Sequence, residues 1–236
     1  MPSPATPLDR RTLLRAALTV TASAAAGAGL AACSSPTPQP TSTAPSTRPT
    51  ETGPTVARNN VLLAYFSRAG ENYYYGGRTN LEIGNTQVVA EMISGLIDCD
   101  VYRIEAADPY SDPYSDVYDD TVARNVAEQD SDARPAIAAP LPAVDQYDTV
   151  LLGSPIWNVR PPMIMSTFVE GLDLAGKTVL PFVTYAVSRL GNAPRDYAQL
   201  LPNSTVAEGL AVQGEEAADA QADVEAWLRS SGLLRD

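Results

Sequence analysis

Strand-length apolar runs that alternate with stretches of helical periodicity constrain this chain more than any other feature. Val61-Leu62-Leu63-Ala64-Tyr65-Phe66 is an unbroken apolar run that stops at the small polar Ser67, and residues 148–153 and 178–183 repeat the design. Such runs read as strands buried on both faces. Shorter strands are expected at 100–104 and 206–212. Between them the period changes. Residues 86–97 place Val89, Ile93 and Leu96 at helical spacing, 163–170 form a helix behind Pro161-Pro162, and 192–201 form another. Residues 217–230 make a last helix that buries Ala220, Val224, Trp227 and Leu228. Buried strands joined by helices imply a mostly parallel sheet covered on both faces, because a parallel neighbour is reached only through a crossover and the crossover supplies the cover. Residues 59–236 are enough for one such domain and too few for two of ordinary size.

In sheets of this kind ligands bind beyond the carboxyl ends of the strands, where the strand order reverses. The loops after Phe66, Gly153 and Val183 are therefore the candidate site. The first runs from Ser67-Arg68-Ala69-Gly70 through an excursion at 71–83 to Gly84-Asn85-Thr86 at the mouth of a helix. Backbone N–H groups and the helix dipole there suit an anion, with Ser67, Asn85 and Thr86 as phosphate contacts. The same tripeptide also reads as an ordinary turn and N-cap. The second loop, Ser154-Pro155-Ile156-Trp157-Asn158, sets an indole between a strand end and a helix start, where it either faces a flat ring or caps the core. The third, Thr184 to Gly191, offers backbone amides and Tyr185 to the polar edge of such a ring. The chain contains no histidine, which excludes histidine metal ligands, histidine general bases and any Ser-His-Asp triad. Asp116, Asp119 and Asp120 read as a solvated helix face rather than a cation site.

The Tyr65-Phe66-Ser67 strand end, the Gly84-Asn85-Thr86 helix start and the Gly153-Ser154-Pro155-Ile156-Trp157 loop together make residues 60–234 resemble the flavodoxin family. Pro109-Tyr110, Pro113-Tyr114, a polar helix over 116–130 and Arg134-Pro135 add to the resemblance. It implies a three-layer α/β/α sandwich with a five-stranded parallel sheet in order 2-1-3-4-5, and flavin mononucleotide (FMN) bound noncovalently at the switch between strands one and three. Its phosphate site falls on Ser67, Asn85 and Thr86, with Arg68 beside them as a further cofactor-binding residue. Its ring walls fall on Ser154, Pro155, Ile156, Trp157 and Asn158, and on Thr184, Tyr185 and Gly191; no catalytic residue or metal ligand is assigned. Two departures stand out. The 71–83 insertion, with Tyr73-Tyr74-Tyr75-Gly76-Gly77-Arg78, stretches the phosphate loop and is expected to be a solvated loop, and the third loop is poorer in glycine than is usual in the family.

A bound flavin carries the redox chemistry itself, and the protein tunes its potential. With 16 basic against 28 acidic residues, the envelope opposes the negative charge that reduction adds. The expectation is an electron carrier of low potential, serving a redox partner protein or a quinone or nicotinamide donor. One alternative is an FMN-dependent NAD(P)H:quinone-type oxidoreductase, which needs an open pocket beside Trp157. Another is a surface lipoprotein whose domain carries no cofactor and binds other proteins. The net charge of −12 disfavours nucleic acid as a partner.

The N-terminal 58 residues belong to a different kind of chain. Arg10-Arg11 precedes a weakly apolar stretch rich in alanine and glycine, which resembles a twin-arginine export signal over 1–32. Leu30-Ala31-Ala32-Cys33 resembles the bacterial lipoprotein box, so Cys33 is the expected lipid-modified residue, anchored at the outer face of the cytoplasmic membrane. Residues 33–58, dominated by proline, serine and threonine, read as a flexible linker. Lipidation of Cys33 leaves Cys99 as a lone thiol with no basic neighbour in sequence, expected to be inert.

Overall fold

Every residue of Leu62-Leu63-Ala64-Tyr65-Phe66 is apolar, and all five are buried, so this strand can only lie inside a sheet with both faces covered. A computed structural model of the chain describes residues 60–111 and 121–235 and places it there. In chain order the first elements are β1 (Val61–Phe66), β2 (Gly70–Tyr74), β3 (Gly77–Leu81), α1 (Asn85–Leu96) and β4 (Asp100–Ile104). Then come α2 (Thr121–Asp130), β5 (Thr149–Pro155), α3 (Met163–Glu170), β6 (Thr178–Tyr185) and α4 (Ala193–Leu200). The chain closes with β7 (Thr205–Val206), β8 (Leu210–Gln213), a 3-10 turn (Gly214–Asp219) and α5 (Gln221–Ser230).

β1 pairs in parallel with β4 on one side and β5 on the other, β5 pairs with β6, and β7 and β8 share the far edge of β6. The order β4-β1-β5-β6-β7 is the expected 2-1-3-4-5 arrangement. The fifth strand is interrupted. Val206 stands opposite Val179 and Leu210 opposite Phe182, so three residues of the edge strand face two of β6. Pro181, in that gap, has no N–H to offer, and a side chain on Gly209 would collide with its carbonyl oxygen at 2.9 Å.

Alternation along the strands divides the core. Leu62, Ala64, Val150 and Leu152 point to the side covered by Ile164, Met165 and Phe168 of α3 and Tyr197 of α4. Leu63, Tyr65, Leu151 and Phe182 point to the side covered by Val89 and Ile93 of α1 and Val224, Trp227 and Leu228 of α5. At the centre Gly153 pairs with Phe182, whose ring occupies the space a Gly153 side chain would need.

The 71–83 insertion, expected as a loop, is a β-hairpin. β2 and β3 pair antiparallel around Tyr75 (φ 42) and Gly76 (φ 85), two left-handed residues that match the right-handed twist of a tight hairpin. The signal expected over 1–32, Cys33, the linker expected over 33–58, Pro113-Tyr114 and the aspartates at 116, 119 and 120 lie outside the described residues. No described helix is long and apolar enough to cross a membrane.

Candidate functional site

The carboxyl ends of β1, β5, β6 and β8 open onto one cleft of about 530 Å³, part of it continuous with solvent. It stands where the chain leaves β1 in one direction for β4 and in the other for β5, the reversal at which such sheets bind ligands. Its base is built around Gly84, the N-cap of α1, which contributes no side-chain cap. Ser67 supplies one from the end of β1: its Oγ accepts from Gln87 N at 3.1 Å. The substitution works only because residue 84 is glycine, since a Cβ there would lie 2.4 Å from Ser67 Oγ and 2.4 Å from the Arg68 carbonyl. Asn85 and Thr86 open the helix ahead of its hydrogen-bond ladder, which starts with Gln87 N and Val88 N donating to Gly84 O at 2.9 and 3.2 Å. Backbone N–H groups at this end and the helix dipole suit an anion.

Across the floor Thr86 and Thr184 share a hydrogen bond of 2.7 Å between their buried hydroxyls, tying α1 to the end of β6. Asn85 packs against Gly214, where a Cβ would meet its amide nitrogen at 2.6 Å. The opposite wall is the turn after β5. Ile156 N donates to Thr184 O at 2.8 Å, Trp157 and Arg160 exchange backbone hydrogen bonds, and Asn158 and Val159 take the left-handed conformations (φ 46 and 61) that close the turn. The turn is braced from behind: Asn192 N donates to Val159 O at 2.8 Å, and Arg160 Nε reaches Asp196 Oδ2 at 2.7 Å.

Trp157 lines the cleft and also caps the core. It is 9% exposed and stands edge-on to Phe66 (5.6 Å) and Tyr110 (5.2 Å). Tyr110 is fixed in turn, its hydroxyl donating to Glu128 at 2.8 Å and its ring covered by the Arg124 guanidinium at 4.0 Å. Burial, reinforced by the Glu128 carboxylate, pushes the Tyr110 phenol far above its ordinary range and keeps it neutral.

Of the residues singled out from sequence, Ser67, Arg68, Asn85, Thr86, Pro155, Ile156, Trp157, Thr184 and Tyr185 line this cleft together. Arg68 is turned aside, its guanidinium donating to Ser111 O at 2.9 Å and to Glu71 O. Three residues stand outside the lining. Ser154 is fully buried beneath it. Asn158 faces α2, with its amide donating to Gln129 at 3.0 Å. Gly191 (φ 53) backs the Trp157 turn, where a Cβ would meet Val159 O at 2.4 Å. Asn72, Tyr73, Ala186, Gly214 and Glu215 line the cleft without having been singled out. Gly214-Glu215 directly follows the last strand, so the carboxyl-end rule that selected the other loops extends to it. Asn72 and Tyr73 come from the hairpin, which no local pattern had identified.

A sequence model of the family described as Flavodoxin matches residues 79–231. A candidate flavoprotein from Bacteroides uniformis shares 29% identity and a TM-score of 0.57, over 72% of this chain and 98% of its own. One from Bacteroides eggerthii shares 30% identity and a TM-score of 0.56, over 72% and 96%. A flavoprotein from Lactobacillus acidophilus in complex with FMN shares 16% identity and a TM-score of 0.48, over 70% and 99%. No curated protein matches the chain.

Proposed function

The chain belongs to the flavodoxin family, and from that premise we propose that it is an FMN-binding electron carrier, exported and held at the membrane surface by a lipid on Cys33. The observation that carries the cofactor reading is the cleft itself: a helix N-terminus freed at Gly84 and capped by Ser67 lies opposite a rigid wall of Pro155, Ile156 and Trp157. In this reading the phosphate sits at the α1 N-terminus on the amides of Asn85 and Thr86 and the Ser67 hydroxyl. The ring sits between Trp157 and Tyr185. Arg68, committed to Ser111 and Glu71, orders the loop rather than neutralising the phosphate. Ser154 and Gly191 support the walls from behind.

FMN, when bound, supplies the electron transfer. The protein's part is to hold the ring in a braced site and to set its surroundings. Glu215 is the only carboxylate and Arg68 the only cation among the described residues that line the cleft, so little positive charge offsets a reduced ring. The absorption spectrum of the purified full chain tests the reading. Flavin bands, or their appearance on titration with FMN, are expected; a colourless protein that takes up no flavin overturns it. A carrier should oxidise NADH or NADPH only slowly with a quinone present, whereas rapid turnover favours the reductase reading. The location rests on Arg10-Arg11, Leu30-Ala31-Ala32-Cys33 and the linker. Replacing both arginines with lysine should leave the flavoprotein inside the cell, and undiminished export counts against a folded-protein route.

A further inference from the structure

The hairpin formed by β2 and β3 rises from one side of the cleft and ends on the other. Its first strand leaves directly after Ser67-Arg68, and its second returns to Gly84, so both feet stand at the α1 end of the cleft. Asn72 and Tyr73 line one wall. At the tip, Tyr75 N–H donates to Glu215 Oε1 at 2.8 Å, and Glu215 with Gly214 lines the facing wall. That hydrogen bond joins segments 140 residues apart.

No residue of the hairpin is buried. A two-stranded hairpin without a buried face is marginal by itself, so its position depends on its ends. The feet are firm. Arg68 donates to Glu71 O, and Asn72 Nδ2 donates to Gly70 O at 3.0 Å. Gly70 (φ 80) is a left-handed residue that can absorb a change of backbone angle. The tip is stiffened by the edge-on contact of Tyr74 and Tyr75 at 4.9 Å. An arm with no buried residue, set on a left-handed glycine and latched by an exposed hydrogen bond, can open without disturbing the core.

We propose that the hairpin is a clasp over the flavin, and that Glu215 is the positioning residue that latches it by accepting from Tyr75 N–H. The inference rests on the FMN reading of the cleft. The clasp retains the cofactor kinetically: the flavin leaves only when the latch is open, so closure slows release.

The experiment follows FMN release from the reconstituted full chain, by recovery of free-flavin fluorescence after large dilution into flavin-free buffer. Glu215→Ala removes the acceptor and should release FMN about fivefold faster, the worth of one exposed hydrogen bond. Glu215→Gln keeps an acceptor oxygen and should stay close to the parent rate. Replacing residues 71–82 with a short Gly-Ser-Gly link should speed release at least as much as Glu215→Ala, with the far-ultraviolet spectrum and melting temperature checking that the sheet is intact. If Glu215 acted instead by repelling the bound anion, Ala and Gln would both slow release, and the clasp would be overturned. An intact chain that binds FMN but releases it as fast as the hairpin-replaced variant also overturns the clasp, leaving the cofactor reading in place. An intact chain that takes up no FMN overturns both.

Discussion

Two glycines at α1 illustrate how differently one residue type is used. Gly84 has no spare volume: the Ser67 hydroxyl and the Arg68 carbonyl fill the place of its side chain. Gly95, on the exposed side of the same helix, has open space where a side chain would begin, with nothing within 4 Å. Gly84→Ala should therefore cost about 1–3 kcal/mol in urea unfolding, because the strand end and helix start must move apart. It should also weaken FMN binding about tenfold, as the anion site widens. Gly95→Ala should stabilise by about 0.5–1 kcal/mol, with FMN affinity unchanged. Cys99 has two acidic sequence neighbours, and the fold adds burial to them. Burial first, and then the Asp98 and Asp100 carboxylates, push it from its ordinary value near 8.5 up to about 11. The raised value favours the protonated form in the folded state. Below about pH 8.5 that preference costs nothing in either state, and as pH rises toward 11 the unfolded chain ionises first and stability falls. Alkylation by iodoacetamide should be slow at about pH 7.5 and accelerate only in the alkaline range; rapid labelling at neutral pH would contradict this.

At the level of elements, the site is held by contacts between loops more than by any one loop. The turn after β5 is latched to α4 through Arg160 and Asp196, and Asp196 is 8% exposed. Arg195 also touches this carboxylate, at 3.1 Å, but from a much more exposed side chain. Arg160→Ala should destabilise by about 1–3 kcal/mol, since it leaves a buried acceptor with poorer compensation. Because Trp157 opens the same turn, its fluorescence should broaden and shift, and the flavin should bind more weakly. A variant that unfolds at the parent urea concentration with unchanged emission would show that the brace is dispensable. The hairpin shows the opposite economy. Its strands were hidden in the sequence because Gly70-Glu71-Asn72-Tyr73-Tyr74 buries neither face, so no alternation of apolar and polar residues marks it. Only Tyr75-Gly76, taking the two left-handed positions of a tight turn, carried a local signal. The interrupted fifth strand was legible in part: residues 206–212 are apolar enough to read as a strand, but the extra residue opposite Pro181 depends on which strand lies beside it.

Taken whole, the molecule is an acidic body with a net charge of −12 and no histidine to titrate near neutrality. On the proposed flavin reading, that charge would act on the reduced ring through solvent, so salt would screen it. The potential for adding the last electron should be low and should rise as ionic strength increases from about 0.01 to 1 M, over which the Debye length falls from about 30 to 3 Å. A potential that is high, or indifferent to salt, would place the control in local contacts instead. What the sequence determined by itself was the part set by periodicity and by the obligations of buried backbone. Continuous apolar runs must be internal strands, helical crossovers must cover them, and small residues at the carboxyl ends must mark the cleft. Ser67, Thr86, Trp157 and Tyr185 were found that way, because each closely follows an element boundary visible in the chain. The tertiary structure alone decided how those residues are used. Ser67 caps a helix that begins at residue 85, Thr86 bonds to Thr184, Arg68 donates to Ser111 O, and the tip of the hairpin meets Glu215. Each of these pairs distant segments through a hydrogen bond or a missing Cβ, and neither leaves a periodic trace in sequence.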